Sequence, residues 1–366
     1  MDKFDIIIVG GGLAGLATAA QLAETGKKVL IYDANSIGGG ASGVPAGMVN
    51  PATGQNARMV WNAELGMQLI EERLQKLGSF SDTPLGLENG VLRPAIDETL
   101  RANYKSALEK TKWPDGWCEW VDSSKVQKLM PFLKENSGGL FLKKGMVIRT
   151  PEYLSAYRSY LEQHDVHFAF GGPYSISNNR HWVLENNSRT FSAPVMIISS
   201  GYKSRESKYW NELPLNSVKG QLALYHCEIP IDAYPAVSAY GYITPIEKHK
   251  LVVGSTYEHH FHDEKPDGQG AGLLNQKLKE LMPELYPSCR RIGQWSGIRA
   301  TTPDRMPIIG QHPESKNLYV YAGLGSKGLL FSELVAKKLV QHIIKQTDIP
   351  EELSLYRFSR FSSKVS

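Results

Sequence analysis

Four residues near the N-terminus have the types and spacing needed to bind a dinucleotide. Gly10, Gly12 and Gly15 stand in G-x-G-x-x-G order, and Asp33 follows eighteen residues after the last of them. Bare backbone at such a turn lets a pyrophosphate approach closely, and the N–H groups of a following helix face its negative charge. An acid at this distance can accept hydrogen bonds from the hydroxyls of an adenosine ribose.

The segments around these residues match the elements that such a site requires. Residues 5–9 form the short apolar run of a strand buried on both faces, and a helical pattern that ends near Gly26 follows the glycines. A second apolar run, residues 29–32, then leads to Asp33. A lone glycine motif would be weak, but this strand, helix and strand pattern favours nucleotide binding over a merely structural glycine turn.

Composition predicts a two-domain enzyme without a membrane segment. The chain has 366 residues, 42% of them hydrophobic, which is ample for a sizeable core. Its net charge of +4, from 41 basic and 37 acidic residues, is too mild to argue for a nucleic-acid partner. Asp2 and Asp5 are unsuited to the positive start of a signal peptide, so we expect a cytoplasmic protein.

No metal site is expected from the sequence. Three cysteines stand far apart, without metal-type or redox-type spacing, and are interpreted as reduced thiols: Cys118, Cys227 and Cys289. A local histidine cluster has no spaced cysteine or carboxylate set beside it and is interpreted as a surface loop rather than a ligand set: His259, His260 and His262.

A glycine-rich stretch without periodicity, residues 36–61, follows Asp33. Irregular backbone must find hydrogen-bond partners, which the polar ring atoms of a cofactor can supply. Val44, Met48 and Val49 indicate that this loop turns inward. A cofactor contact is therefore favoured over a flexible surface excursion.

The remaining pattern predicts an α/β protein with an α+β substrate part. Helical patterns cover residues 61–77 and begin again at Thr150, while alternating segments after Gly220 read as antiparallel strands. The last segment is a strand, a glycine turn and a long helix. We predict a discontinuous, Rossmann-like nucleotide domain (residues 1–80, 145–216 and 292–366) with an interleaved antiparallel-sheet substrate domain (residues 81–144 and 217–291).

Several motifs together resemble one family over nearly the whole chain. The strand–helix–strand unit, GGGASGVPAGMV, GYITP, GIRATTPDRMPIIG and AGLGSKGL occur in the order and spacing of the FAD-dependent D-amino-acid oxidase superfamily. Within it, Ser42 and the AGM at 46–48 resemble the glycine oxidases. GVLRPA, VVGSTY and GLGSKGL are closer to the oxidase half of the bifunctional enzymes that mature the wobble uridine of tRNA.

This resemblance implies a non-covalently bound FAD. Gly297 occupies the slot in which sarcosine oxidases of the superfamily carry the cysteine that holds their flavin. The implied cofactor contacts are Gly10, Gly12, Leu13, Ala14, Gly15, Asp33, Ala34, Ser42, Gly47, Met48, Tyr174, Ser200, Gly201, Gly325, Ser326, Lys327, Gly328 and Leu329. In chain order, these segments would meet the pyrophosphate, the adenosine ribose, the flavin edge, the adenine, the ribityl chain and the flavin pyrimidine.

The resemblance also implies the substrate residues. Arg299 would hold a substrate carboxylate through two parallel hydrogen bonds. The alternative is a structural role, in which Arg299 forms an internal ion pair with Asp304. Tyr242 would bond the same carboxylate or gate the pocket, or else only pack. Lys327 would place a positive charge beside reduced flavin, or else be a solvated loop lysine.

The implied reaction is oxidation of the C–N bond of a small amino acid or secondary amine. Hydride would pass from the α-carbon to flavin N5, and water would hydrolyse the resulting imine. Two alternatives stay open. One is an oxidase that removes a carboxymethyl group from the wobble uridine of tRNA, a partner that the weak basic charge does not favour. The other is a non-catalytic flavoprotein.

Overall fold

The computed structural model of the protein describes residues 1–362. The α-helices of this part of the chain are Leu13–Ala23, Ala63–Gly78, Glu98–Lys110, Ser123–Leu129, Thr150–Gln163, Gly268–Leu281, Gly328–Lys345 and Ser359–Ser362. Short 3-10 helices lie at Ala41–Gly43, Gly201–Glu206, Tyr286–Ser288, Glu351–Leu353 and Leu355–Arg357. Gly268–Leu281 begins at an Asp267 side chain that accepts a hydrogen bond from the Gly270 N–H, an ordinary N-cap.

A six-stranded sheet positions the glycine motif. Its strands, in spatial order, are Val166–Phe170, Val29–Asp33, Ile6–Val9, Val195–Ile198, Leu318–Ala322 and Ile308–Gln311. All neighbouring strands run parallel except the last pair, which is antiparallel. Every residue of Ile6–Val9 is buried, because helices or smaller sheets cover both faces, and this explains its unbroken apolar sequence.

A larger sheet forms the second layer of the molecule. Its eight strands, in spatial order, are Cys289–Thr301, Asn216–Cys227, Lys250–Gly254, Tyr242–Glu247, Ala236–Ser238, Val91–Pro94, Gly139–Leu142 and Cys118–Val121. The neighbours are antiparallel except for Ala236–Ser238 with Val91–Pro94, which pair in parallel. The antiparallel strands predicted after Gly220 are therefore present.

Three small sheets complete the fold. The first contains Asp2–Lys3, Thr190–Ala193, His181–Asn186 and Tyr174–Asn179, the second Ala46–Val49, Met146–Arg149 and Gly86–Leu87, and the third Ala52–Thr53 and Arg58–Met59. The stretch at residues 36–61, expected to be an aperiodic loop, thus contains three short strands. Ala46–Val49 forms because Met146–Arg149, about a hundred residues further along the chain, pairs with it, and no local pattern announces such a partner.

Buried apolar residues form separate cores that follow the two main sheets. Ile6 and Ile8 pack into one core and Ile7 and Val9 into another, so the six-stranded sheet has a core on each face. A further core contains most buried residues of the larger sheet, with the helix Gly268–Leu281 against it. The division into a nucleotide domain and a substrate domain stays a prediction from the sequence.

The interpretation of all three cysteines as reduced thiols is wrong. Cys227 and Cys289 form a disulfide, although 62 residues separate them. They are direct partners across the antiparallel ladder of two long strands, with their Cα atoms 4.1 Å apart. The sequence hides this pairing because nothing local shows that the ends of these strands meet. Only Cys118 is free among the cysteines.

Among residues 1–362, no helix is both long enough and apolar enough to cross a membrane. In the same part of the chain, no cluster of histidine, cysteine and acidic side chains could hold a metal ion. The histidine cluster lies on an exposed loop, as all three rings are exposed: His259, His260 and His262.

Candidate active site

One large cavity lies between the two main sheets. Its volume is about 1400 Å³, which exceeds the 300–1,000 Å³ of an ordinary small-molecule site. One wall is the carboxyl edge of the six-stranded sheet, where Val9, Asp33 and Ala322 end their strands. The other wall is the face of the eight-stranded sheet. This is the position in which open α/β sheets bind their ligands.

The glycines of the first turn form a cradle that side chains would fill. A Cβ atom on Gly10 would lie 2.4 Å from the Ser199 carbonyl oxygen, and Gly10 has a φ of +119°, which favours glycine. A Cβ atom on Gly12 would lie 2.9 Å from the Ser42 hydroxyl. Beyond them the helix Leu13–Ala23 begins, so its first N–H groups face the cavity. The Leu13 N–H donates to the Ser42 hydroxyl at 3.1 Å.

Asp33 is held in place by the backbone around it. Its Oδ2 accepts a hydrogen bond from the Gly11 N–H at 2.7 Å, and its Oδ1 accepts one from the Asn35 N–H at 2.9 Å. A carboxylate has about four lone-pair sites, so both oxygens keep acceptor capacity. Because Asp33 lines the cavity, this capacity suits the hydroxyls of a ribose.

The glycine-rich turn at residues 323–328 forms another part of the cavity wall. Gly323 and Gly325 have φ values of +79° and +55°, and the helix Gly328–Lys345 begins directly after Lys327. The Lys327 ammonium donates to the Arg305 carbonyl oxygen at 3.3 Å. Burial, together with the positive charge of Arg305, lowers the pKa of Lys327. This lysine is thus a partly desolvated cation at the cavity wall, not a freely solvated one.

All of the predicted cofactor and substrate residues line this cavity except Gly15. Gly15 lies behind the wall, where a Cβ atom would come 1.9 Å from the Gly10 carbonyl oxygen. It therefore lets the first helix lie close against the turn. Residues brought together from distant parts of the chain are Leu13, Ala14, Ala34, Gly47, Met48, Tyr174, Ser200, Gly201, Ser326, Gly328 and Leu329.

The cavity fits a dinucleotide cofactor. Two glycine turns, a helix N-terminus and an acid line its nucleotide side, and the volume leaves room for a second, small molecule. Gly297 also lines it, and a Cβ atom there would lie 2.4 Å from the Trp295 ring. No cysteine is among the cavity-lining residues of the described part of the chain, so no thiol is placed to attach a flavin.

Arg299 presents its guanidinium to the cavity from the strand Cys289–Thr301. The guanidinium carbon lies 4.7 Å from the centre of the Tyr257 ring, and Nη1 donates to the Thr256 carbonyl oxygen at 3.4 Å. On the neighbouring strand, Gly220 makes room for it, since a Cβ atom there would lie 2.0 Å from Nη2. Within residues 1–362, Arg299 forms no salt bridge. The alternative of an ion pair with Asp304 is wrong, because Asp304 pairs with Arg357.

Tyr242 lies on the central part of the same sheet, opposite Gly254. A Cβ atom on Gly254 would lie 2.8 Å from the tyrosine hydroxyl, so the glycine leaves space for the ring. Burial raises the pKa of Tyr242, and the nearby charge of Arg299 opposes that rise. The tyrosine is therefore a neutral hydrogen-bonding group near the arginine.

Sequence reasoning missed many residues of the cavity wall. Among them are Arg93, Tyr104, Tyr257 and Trp295. Arg93 and Tyr257 lie in the segments GVLRPA and VVGSTY, which stood out as motifs without an assigned role. Tyr104 lies on the helix Glu98–Lys110. The missing information is tertiary, because these side chains come from strands, a helix and a loop and meet only in the folded chain.

The fold and the site together define an oxidoreductase of the dinucleotide-binding class. A family model described as FAD dependent oxidoreductase matches residues 5–342, and the chain belongs to this family, known as DAO. FAD is thus the cofactor, as the sequence resemblance implied. The resemblance to the superfamily and the α/β fold class are both confirmed.

Individual relatives are distant but cover nearly the whole chain. Glycine oxidase of Geobacillus kaustophilus is 24% identical over 99% of this chain and 98% of its own length. A tRNA 5-methylaminomethyl-2-thiouridine biosynthesis bifunctional protein of Polaromonas sp. is 27% identical over 92% of this chain. The match covers only 56% of that longer protein.

Solved structures show the same fold. The crystal structure of glycine oxidase from Geobacillus kaustophilus superposes with a TM-score of 0.82 at 23% identity, covering 95% of this chain and 96% of that one. Iminodiacetate oxidase from Chelativorans sp. BNC1 also gives 0.82, at 19% identity, covering 97% and 98%. At these identities the superpositions establish the fold.

Proposed function

We propose that this FAD-dependent oxidoreductase oxidises the C–N bond of a small amino acid or secondary amine. The observation that carries the proposal is Arg299, a cation that lines the cavity and has no acidic partner among the described residues. A guanidinium without a counter-charge is a ready binding site for a carboxylate, which it can hold through two parallel hydrogen bonds. The names of the glycine oxidase relatives support a small amino acid as the substrate.

Each cofactor-binding segment has a proposed role. The turn from Gly10 to Gly15 would hold the pyrophosphate, Asp33 with Ala34 the ribose, and Ser200 with Gly201 the ribityl chain. The remaining segments would surround the ring: Ser42, Gly47, Met48, Gly325, Ser326, Lys327, Gly328 and Leu329. Tyr174 would meet the adenine. The lowered pKa of Lys327 follows from its burial, and as an ammonium it would still offer a positive charge beside the ring.

FAD, when bound, would supply the acceptor for a hydride, which carries two electrons from the substrate. The residues of the chain itself would align the substrate with the cofactor. Arg299 would fix the carboxylate, and Tyr242 would donate its hydroxyl hydrogen to the same group, because burial keeps it protonated. Fixing the carboxylate fixes the α-carbon, which is an entropic contribution to rate. Burial of the bound substrate away from water would also disfavour the ammonium form of the amine, whose nitrogen lacks a lone pair.

A second candidate is oxidation of a modified uridine in tRNA. The similarity to the tRNA-modifying bifunctional proteins favours it, although this chain spans little more than half of their length. A tRNA substrate would bring many phosphates, and its binding would weaken steeply as salt rises. The net charge of +4 gives little support to that mode of binding.

An anaerobic titration distinguishes these functions. Purified yellow protein is mixed with glycine, sarcosine, proline and other amines in turn, and the flavin absorbance is recorded without oxygen. Saturable bleaching by a small amine would support the first function. Bleaching only by tRNA that bears a carboxymethylaminomethyl uridine, lost as salt rises, would support the second. If neither kind of compound bleaches the flavin, the protein is a non-catalytic flavoprotein and the proposal is wrong.

A further inference from the structure

Tyr257 stands beside Arg299 without belonging to a helix or a longer strand. It follows the strand Lys250–Gly254 by three residues and lines the cavity. The guanidinium carbon of Arg299 lies over its ring, 4.7 Å from the ring centre. The side chain is large and mainly apolar, yet 64% of its surface is exposed. Packing in a core therefore does not explain a tyrosine at this position.

The contact between the ring and the guanidinium needs no hydrogen-bond donor of the arginine, because a ring face attracts a cation through its quadrupole. Of the five N–H groups of Arg299, one on Nη1 donates to the Thr256 carbonyl oxygen at 3.4 Å. Arg357 gives the contrast, since its Nε and Nη2 both donate to the Asp304 carboxylate. A carboxylate partner occupies the donors that a substrate carboxylate would need, whereas Tyr257 leaves them available.

Two buried residues of a neighbouring strand hold the backbone on both sides of Tyr257. The Glu258 N–H donates to the Lys219 carbonyl oxygen at 2.9 Å, and the Glu258 carbonyl oxygen accepts a hydrogen bond from the Lys219 N–H at 3.0 Å. The Gln221 N–H donates to the Thr256 hydroxyl at 2.9 Å, and the Gln221 side-chain amide donates to the Glu258 carboxylate, also at 2.9 Å. Lys219 and Gln221 are at most 2% exposed. An exposed ring thus stands on a fixed support.

Tyr242 belongs to the same cluster of side chains. Burial is the main cause that raises the pKa of Tyr242, the positive charge of Arg299 opposes the rise, and Tyr257 adds to it. Arg299 and Tyr257 are therefore both close to Tyr242, and all three side chains line the cavity. A carboxylate at this place would meet the available donors of the guanidinium and the hydroxyl group of Tyr242 together.

We infer that Tyr257 is a positioning residue of the substrate site, whose ring holds the Arg299 guanidinium at the cavity wall and leaves its N–H groups available to an incoming carboxylate. An arginine on an open wall samples several rotamers, and ordering it on binding weakens affinity. The ring removes part of that cost in advance. This inference rests on the proposed function and adds a residue to its site. The competing role is structural, in which the ring only covers the sheet and adds stability.

Two substitutions separate the ring from its hydroxyl group. Tyr257→Phe keeps the ring face, and Tyr257→Leu removes it while keeping an apolar side chain. Tyr286→Leu is the control, since Tyr286 is half-buried, lies just before the strand that carries Arg299 and does not line the cavity. Acetate binding is measured from the change in flavin absorbance, with uncharged acetamide for comparison. Anaerobic flavin reduction by sarcosine gives the limiting rate and the half-saturating concentration, and thermal unfolding gives the melting temperature.

The positioning role predicts that Tyr257→Leu weakens acetate binding and raises the half-saturating sarcosine concentration by about 2- to 10-fold, the size of a partly exposed cation–π contact. The limiting rate should stay nearly unchanged, because the contact serves binding and not the reaction step. Tyr257→Phe and Tyr286→Leu should bind acetate as the wild type does. In an Arg299→Ala background, Tyr257→Leu should cause no further loss of kcat/KM, because the ring then has no guanidinium to hold.

The other outcomes overturn the inference. Equal losses in Tyr257→Phe and Tyr257→Leu would assign the effect to the hydroxyl group. A Tyr257→Leu variant that melts earlier but binds acetate normally would assign the ring to the structural role. A loss that persists in the Arg299→Ala background would show that Tyr257 does not act through Arg299.

The acetate measurement keeps this inference separate from the proposed reaction. A wild type that does not bind acetate overturns the positioning role, because no carboxylate then reaches Arg299. If acetate binds and Tyr257→Leu weakens it, while no amine of the panel reduces the flavin, the positioning role stands and the proposed reaction fails.

Discussion

Arg357 holds the carboxylate of Asp304 through two hydrogen bonds, 2.7 Å from Nε to Oδ2 and 3.1 Å from Nη2 to Oδ1. This pair engages the acid that stands closest after Arg299 in the sequence and that could have neutralised it. The consequence for the cavity is direct, because Arg299 keeps its charge without a protein counter-ion among residues 1–362. The guanidinium lies beside the Tyr257 ring and donates a hydrogen bond to the Thr256 carbonyl oxygen.

We predict that Arg299→Ala lowers kcat/KM for carboxylate-bearing amines. The corresponding activation free energy should rise by about 2–5 kcal/mol, the usual cost of truncating one partner of a buried charge pair. FAD content should stay unchanged, because Arg299 belongs to the substrate wall. The measurement is anaerobic flavin reduction against substrate concentration, with bound FAD quantified by absorbance. Arg290→Ala serves as the matched control, since Arg290 is exposed on the same strand and does not line the cavity. Unchanged kinetics in the Arg299 variant would remove this residue from the site.

Gly15 gives a prediction about cofactor binding. We expect Gly15→Ala to lose FAD and to unfold more readily, because the new methyl group would come 1.9 Å from the Gly10 carbonyl oxygen and push the helix off the turn. Overpacking of this kind costs about 1–3 kcal/mol or more. Stability is read from urea unfolding and cofactor content from absorbance.

Gly272→Ala is the control for that change, as it makes the same substitution inside another helix. Nothing lies within 4 Å of a Cβ atom on Gly272, so we expect a gain of about 0.5–1 kcal/mol, the ordinary helix preference for alanine. A Gly15 variant that behaves like this control would show that the close approach of helix and turn is not needed.

The sequence predicted the parts of the fold whose signals are local. The glycine spacing, the apolar run before it and the acid after it lie within thirty residues, and each is a direct consequence of strand, turn or helix geometry. Arg299 and Tyr242 could be named only through resemblance to a family. Their own surroundings, such as Gly220 and Gly254, show why they fit, but a glycine in a strand does not announce which side chain will lie over it.

The parts that could not be predicted depend on pairing between distant segments. The disulfide between Cys227 and Cys289 follows from the register of two strands, and the strand Ala46–Val49 follows from a partner a hundred residues away. Arg93 belongs to the same group. A charged residue within the apolar segment GVLRPA could equally have stood at an exposed edge, and its burial becomes visible only with the hairpin that covers it.

The hydrogen bonds of the Asp267 carboxylate make the free energy of unfolding depend on pH. Its Oδ1 accepts the N-cap hydrogen bond from Gly270, and its Oδ2 accepts hydrogen bonds from Lys219 and Gln221. The Gly270 bond is the main reason that the pKa of Asp267 falls to about 2, and Lys219 adds to it. Because the folded carboxyl is more acidic than the unfolded one, its stabilisation is complete above about pH 4 and is lost as the pH falls towards 2.

We therefore expect Asp267→Asn to be less stable than the wild type at pH 7 and the difference to shrink between about pH 4 and pH 2. Urea unfolding followed by tryptophan fluorescence, at several pH values and a fixed FAD concentration, measures this. Asp348→Asn, a change at an exposed aspartate, should leave the difference close to zero throughout. A gap between wild type and Asp267→Asn that widened on acidification would contradict the assignment.

The ion pair of Arg73 and Glu333 ties three helices together behind the cofactor wall. Both side chains are at most 3% exposed, and Glu333 also accepts a hydrogen bond of 2.6 Å from the Tyr157 hydroxyl. Glu333 lies in the helix Gly328–Lys345, which starts at the cavity, so the pair fixes the direction of that helix. Arg73→Met should cost about 3–5 kcal/mol, because it leaves Glu333 buried without a counter-charge.

The double variant Arg73→Met, Glu333→Leu distinguishes two roles that this ion pair can have, namely stabilising the fold and positioning the helix Gly328–Lys345. Apolar residues of similar size often replace a buried ion pair at little cost, since the desolvation of both charges disappears with them. We expect the double variant to recover most of the stability lost in Arg73→Met, as measured by guanidinium unfolding. Its FAD content shows whether the helix still reaches the cavity correctly. A double variant that stays as unstable as Arg73→Met would mean that the pair stabilises the fold outright, whereas recovered stability with reduced FAD would mean that its charges chiefly set the helix in position.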